Sequence, residues 1–280
     1  MLNIKTTILA LALAASFAAP AMAQDHSTPA IEKQSWSFAG IFGTYDQNQL
    51  QRGFQVYREV CSSCHGVRLV AFRNLAEEGG PSFSEEQVKA LAAEYEVADP
   101  TAEGGVRAGV PADRFPPPFA TEQDARDANG GALPPDFSVL AKARGISDAF
   151  PFWVFNYFTG YSEGGPDYIH ALLNGYHVEA PADFELPEGK YYNDYYPGHA
   201  IGMAPPLSDD IVAYEVAEGQ EAVPTTVEQY STDVAAFMMW AAEPHLAGRK
   251  QTGFVVLLFL IGFAALMYLT KRRIWRGIEH

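Results

Sequence analysis

The sequence predicts a mainly α-helical fold with large loop insertions and one C-terminal transmembrane helix. Three observations carry that prediction. Apolar residues recur at helical spacing after Asp46 and again after Thr225, near the two ends of the chain. Between these repeats lie long insertions, the acidic stretch 81–125 foremost. Twenty residues without a charge, QTGFVVLLFLIGFAALMYLT, then stand between Lys250 and Lys271.

The elements follow in chain order. MLNIK carries one positive side chain, TTILALALAASFAAP is apolar, and Ala21-Met22-Ala23 fits a small-x-small cleavage pattern. Residues 1–23 are therefore predicted to be a secretory signal peptide, with the mature chain starting at Gln24.

Residues 24–248 form the predicted exported domain, enough for one substantial core with insertions. They hold 12 Lys and Arg against 33 Asp and Glu, a formal charge of −21. That sign argues against a nucleic-acid partner, whose phosphates need cationic side chains. It suits a docking face for a basic protein.

Asp46 caps a predicted helix with Leu50, Phe54, Tyr57 and Cys61 on its apolar side. Gln49 stands where a capping-box partner would. Gly53 leaves room for a second helix to cross closely. That second helix is predicted from Thr225, with Glu228 at capping-box spacing and Val234, Phe237, Met238 and Trp240 on an apolar side. A further helix is expected at 84–96, inside the acidic insertion.

The uncharged stretch, assigned to an anchor at 249–270, makes a helix of ~30 Å, the thickness of a bilayer core. Lys271, Arg272, Arg273 and Arg276 follow it in the tail 271–280. The positive-inside rule places that tail in the cytoplasm. Signal and anchor agree on an exported domain hung from the membrane by a single C-terminal helix; the expected setting is a bacterial inner membrane, with that domain in the periplasm.

Cys61 and Cys64, in VCSSCHG, are the only two cysteines. A disulfide across so short a gap is a redox motif, and no βαβ pattern surrounds it. Zinc commonly takes four ligands from two separated pairs, and there is no second Cys pair. C-x-x-C-H is the attachment sequence of c-type haem. Its spacing lets two thiols reach two vinyl groups on one porphyrin edge while the adjacent imidazole reaches the iron. The expected cofactor is one covalently bound haem c, attached at Cys61 and Cys64, with His65 as proximal ligand.

A histidine–methionine axial pair raises the potential of an electron-transfer haem. Of six methionines, Met1 and Met22 fall in the signal segment and Met267 in the anchor. Met238 and Met239 lie in the second helix, where packing is the expected role. Met203, in GHAIGMAPPLSDD, remains as the sixth ligand, on a loop that Pro205 and Pro206 stiffen. His170, His177 and His199 are the rival ligands.

First and last helices crossing over a haem resemble the class I cytochromes c, so the globular part is expected to be a class I cytochrome c-like haem domain. Four ordered stretches narrow the resemblance: SFAGIFGTYDQNQLQRGFQVYREVCSSCHG, ANGGALPPDFSVLAKAR (128–144), YYNDYYPGHAIGMAPPL (191–207) and DVAAFMMWAAEP (233–244). With the C-terminal anchor, they resemble the cytochrome c1 family over nearly the whole mature chain. The resemblance implies Cys61 and Cys64 as thioether attachments and His65 and Met203 as axial ligands. It also implies that Arg144 and Tyr168 contact haem propionates, which would be costly to bury unpaired. The segment 145–167 is longer than the family pattern, and TGY at 159–161 mimics NGY at 174–176, so Tyr157 stands as the alternative to Tyr168.

The resemblance further implies a function. Such a chain passes single electrons from a Rieske iron–sulfur subunit to a soluble or tethered basic cytochrome c, beside cytochrome b in a quinol:cytochrome c oxidoreductase. It performs no bond chemistry itself. Two other readings stand beside this one. The first is a stand-alone tethered electron carrier or a monohaem subunit of a terminal oxidase. The second is a membrane-tethered thiol oxidoreductase working through Cys61 and Cys64, which leaves His65 and the MAPPL loop without a role.

Overall fold

The computed structural model describes residues 30–144, 156, 161–177, 180–181, 184–215 and 222–277. The predicted signal segment 1–23, Tyr157 and much of 145–167 lie outside the described residues. The mainly α-helical expectation holds. Helix α1 spans Gln47–Val56, α2 Glu85–Ala93, α3 Glu122–Ala128, α4 Leu140–Ala143, α5 Gly164–Asn174, α6 Val227–Ala242 and α7 Leu246–Ile274. The only sheets among the described residues are two-stranded. β1 (Glu96–Ala98) pairs antiparallel with β2 (Val106–Ala108), and β3 (Tyr191–Tyr192) with β4 (Ala200–Ile201).

The α1 cap forms as the sequence predicts, the Asp46 carboxylate accepting the Gln49 amide at 2.7 Å. The other arm of the box comes from elsewhere: the Asp46 amide donates to the Ser37 hydroxyl at 3.2 Å. The second helix starts one residue later than predicted. Thr226 is its cap, accepting from the Gln229 amide, while the Thr225 hydroxyl turns back to Asp210. Within the insertion, Ser84 and Gln87 form a reciprocal capping box for α2. That helix stops at Ala93, short of the predicted 96, because β1 begins there.

α1 and α6 cross in the middle of the core. A β-carbon on Gly53 would lie 2.1 Å from the Asp233 carbonyl oxygen and 2.8 Å from the Phe237 β-carbon. Only glycine permits that approach. Phe54, Tyr57, Phe237, Met238, Met239 and Trp240 fill the space around it, all at most 4% exposed. Met238 and Met239 are thus core residues, as expected. The Asp233 carboxylate is fully buried and takes both ends of the Arg52 guanidinium, at 2.9 and 3.0 Å. The Tyr214 hydroxyl and the Gln229 amide also donate to it. Four hydrogen bonds offset the cost of burying that charge.

Past Val56 the helix widens into a π turn over Tyr57–Cys61, closed by the Ser62 amide on the Tyr57 carbonyl at 2.8 Å. The apolar spacing alone predicted ordinary helix as far as Cys61. A π turn adds a residue to the register and re-aims the chain where it leaves the helix, a device frequent at functional sites. At the other end, α7 runs past the predicted anchor on both sides, for ~43 Å at α-helical rise. It is long and apolar enough to cross a bilayer, and its most apolar stretch has no buried residue. The helix fits a single-pass membrane anchor.

Gly53→Ala should force the crossing apart and cost ~1–3 kcal/mol, the range for overpacking a tight core. A denaturant titration of the purified protein checks this; an unchanged midpoint would show that α6 yields freely at Asp233.

Candidate cofactor site

The π turn delivers the C-x-x-C-H motif onto a tight loop. The Cys64 and His65 amides both donate to the Cys61 carbonyl, at 3.1 and 2.9 Å, and the Tyr57 hydroxyl donates to the His65 carbonyl at 3.1 Å. His65 is 8% exposed. Its Nδ1 lies 2.7 Å from the Pro135 carbonyl oxygen. A carbonyl only accepts, so Nδ1 carries the proton and Nε2 keeps its lone pair for a metal. The ring stacks on Phe137, 4.3 Å between centroids at 23°. Burial holds the imidazole below its ordinary pKa, opposed in part by the Pro135 bond and the Asp136 charge. A neutral imidazole is the form that ligates iron.

Neither cysteine is in a disulfide. Burial, with the Cys64 thiol beside it, pushes the Cys61 thiol up to about 12. A thiol oxidoreductase needs the opposite shift, because the thiolate is its nucleophile. Among the described residues no three His, Cys, Asp or Glu side chains group together as a metal ion's donors would. Two unbridged cysteines and one neutral, oriented imidazole are the donor set that suits a c-type haem.

A path made partly of contacts and partly of short chain segments runs from His65 past the remaining predicted residues. From His65 the path passes to Phe137, which opens the short run through α4 to Arg144. Arg144 is exposed, and its carbonyl lies against Gly165 at the start of α5. Tyr168, one turn along α5, is partly buried; burial raises its hydroxyl pKa and the Arg144 charge draws it back. Burial, with Tyr168 and Tyr196 nearby, raises the hydroxyl pKa of Tyr176. The Tyr176 hydroxyl donates to the Met203 carbonyl at 3.0 Å. Next to Met203, Gly202 faces Ala132, and the chain from Ala132 reaches Pro135, the partner of His65, within ~11 Å.

Met203 is placed by the loop before it. Asn193 is fully buried; its side-chain oxygen accepts the Tyr195 and Tyr196 amides at 3.0 and 3.1 Å, and its amide donates to Leu172 at 2.7 Å. The β3–β4 ladder closes the loop, and Met203 follows it by two residues. The rival ligands have other engagements. His170 contacts Ser231, Thr232 and Glu228, and His199 bonds Asn193 and stacks on Tyr192. The side chain of His177 lies outside the described residues.

Sequence reasoning missed Pro135, Phe137 and Tyr176 as supports of the site. The stiff PPDF at 134–137 was the available signal for the first two, a rigid run one loop away from a lone histidine.

A family model described as the cytochrome C1 family matches residues 36–278. The chain belongs to the cytochrome c1 family. A cytochrome c1 of Blastochloris viridis is 47% identical over 97% of this chain and 96% of its own length. That of Rhodospirillum rubrum is 43% identical over 99% and 98%. A Bradyrhizobium diazoefficiens protein named cytochrome b/c1 is 54% identical over 86% of this chain, which spans only 35% of that relative. Membership in the cytochrome c1 family implies a c-type haem, and the donor set described above fits one.

Asn193→Ala removes three part-buried side-chain hydrogen bonds from the loop that carries Met203. The amides of 195–203 should exchange at least about tenfold faster, the equivalent of one such bond, while those at the α1–α6 crossing keep their protection. Hydrogen exchange read by mass spectrometry checks both halves.

Proposed function

We propose that this chain holds one covalently bound haem and carries single electrons from a Rieske iron–sulfur subunit to a basic cytochrome c, as the cytochrome c1 subunit of a bc1 complex. The observation that carries the reading is the His65 imidazole, whose Nδ1–H is engaged by Pro135 so that Nε2 is left to ligate. One-electron chemistry is what a haem bound here supplies. The residues supply the rest. Cys61 and Cys64 would hold the haem through their sulfurs, and His65 and Met203 would ligate its iron. Phe137 and Tyr57 restrict the imidazole and its backbone, Tyr176 restrains the Met203 backbone, and Arg144 with Tyr168 would pair with the haem propionates. Burial of His65 favours the neutral ring.

The partners follow from relatives and charge. A relative named for both cytochrome b and c1, of which this chain spans 35%, supports cytochrome b as its neighbour. Another, from Candida albicans, is named a cytochrome b-c1 complex catalytic subunit. The −21 charge of residues 24–248 supports a basic electron acceptor. Residues 1–23 act as the cleaved signal, α7 crosses the bacterial inner membrane once, and the basic tail stays in the cytoplasm.

Met203→Leu should lower the haem potential by on the order of 0.1–0.3 V, part of the ~0.8 V range that axial ligands command, with haem retained on the denatured chain. A redox titration that does not move removes Met203 as a ligand. Gentle detergent purification of the tagged protein from its own membrane should co-purify b-type haem, a Rieske signal and quinol-dependent cytochrome c reduction. A red protein that arrives alone, without these three, is a free carrier.

A further inference from the structure

The segment leading into α1 makes a tight loop whose tip stands beside the anchor. Ile41 and Phe42 at that tip are 50% and 76% exposed. The Phe42 ring meets the Phe254 ring edge-on, 5.3 Å between centroids. Phe254 lies inside the uncharged stretch 251–270, ~6 Å along the helix from Lys250 at α-helical rise. A ring that touches it stands at the depth of that stretch's first turn.

The tip is built firmly. The Thr44 amide donates to the Ser37 carbonyl at 3.2 Å, and the Ala39 amide to the Trp36 carbonyl at 3.0 Å. Beneath it Phe38 packs between Trp36 and Tyr45, at 5.3 and 5.0 Å. Gly43 passes so close to the chain that a β-carbon there would lie 2.1 Å from the Ala39 oxygen. The Lys250 ammonium donates to the Phe38 carbonyl at 2.6 Å and ties the loop to α7. A loop so constrained holds two large apolar side chains outward at a fixed height.

We propose that the Ile41–Phe42 tip inserts into the bilayer at the boundary of headgroups and acyl chains, as a second membrane contact of the globular domain. Continuity identifies the occupant: the tip extends the surface of α7, whose Val255, Leu258 and Ile261 are 59%, 56% and 66% exposed. Charge agrees, since Lys250 at the root of the loop sets an ammonium at headgroup level in an otherwise acidic domain. Two contacts, one helix and one loop, restrict the tilt of the domain over the membrane, which a lone helix does not. The inference rests on α7 being the membrane span.

The test replaces Phe42 with p-benzoylphenylalanine in the full-length chain, and Phe254 likewise in a second variant. Each is irradiated in the native membrane and digested with trypsin. The Phe42 variant should yield peptide 34–52 with the added mass of one phospholipid, and the Phe254 variant should also label lipid. If Phe42 labels another polypeptide, or nothing, while Phe254 labels lipid, the tip is not a lipid contact. If Phe254 itself labels no lipid, the reading of α7 as the span fails, and this inference with it.

Discussion

Gly53 presses against the backbone of Asp233 with no room for a single β-carbon between them, and that contact sets the geometry on which the rest depends. It fixes how far α1 and α6 interpenetrate, and so where α1 ends and in which direction its last turn releases the chain. The Arg52–Asp233 pair locks the same point by charge. A buried pair of this kind adds little net stability over a well-packed apolar contact, but losing one partner leaves a buried charge and costs several kcal/mol. It therefore discriminates against a slipped register more than it strengthens the crossing. The π turn over Tyr57–Cys61 begins four residues past that fixed point; it ends on Cys61 and releases Cys64 and His65 onto a loop rather than along a helix face.

His65 is then held from three sides by two parts of the chain, the turn just before it and the segment around Pro135. Tyr57 binds its carbonyl, Pro135 its Nδ1 and Phe137 its ring face. The division of labour is physical. Two hydrogen bonds set position and tautomer, and the aromatic contact sets the plane. Met203 has a comparable arrangement through a different device, a short ladder with a buried asparagine substituting for missing strand length. The two arrangements approach each other where Gly202, next to Met203, faces Ala132, three residues before Pro135.

Much of this was legible in the sequence because it rests on local rules. The Asp46 cap, the close approach at Gly53, the core role of Met238 and Met239, and the anchor each follow from spacing or composition. The cap of α6 moved by one residue because Thr225 and Thr226 are chemically equivalent choices, and only the position of Asp210 separates them. The β1–β2 hairpin carried almost no local signal, with three residues per strand and side chains mostly exposed. Its staple is Arg107, which holds Asp99 and Asp113 together; hydrogen bonds from that guanidinium lead the shift of the Asp113 carboxyl down to about 2. Pro135 contributes through its backbone carbonyl, which no side-chain pattern reveals.

Glu243 joins the site to the anchor. It lies just past α6 and takes hydrogen bonds from Lys142 of α4 and Arg249 of α7, while the Tyr45 hydroxyl donates to its backbone carbonyl. Burial alone would raise its carboxyl pKa; the bonds from Arg249 and Lys142 outweigh this and bring it below the ordinary carboxylate range. The carboxylate therefore stays charged and keeps both cations. Lys142 stands two residues before Arg144, so the first turn of the anchor is tied through one side chain to the segment that runs from Phe137 to Arg144. The start of the long apolar helix and the segment 137–144 thus share one carboxylate as their common partner.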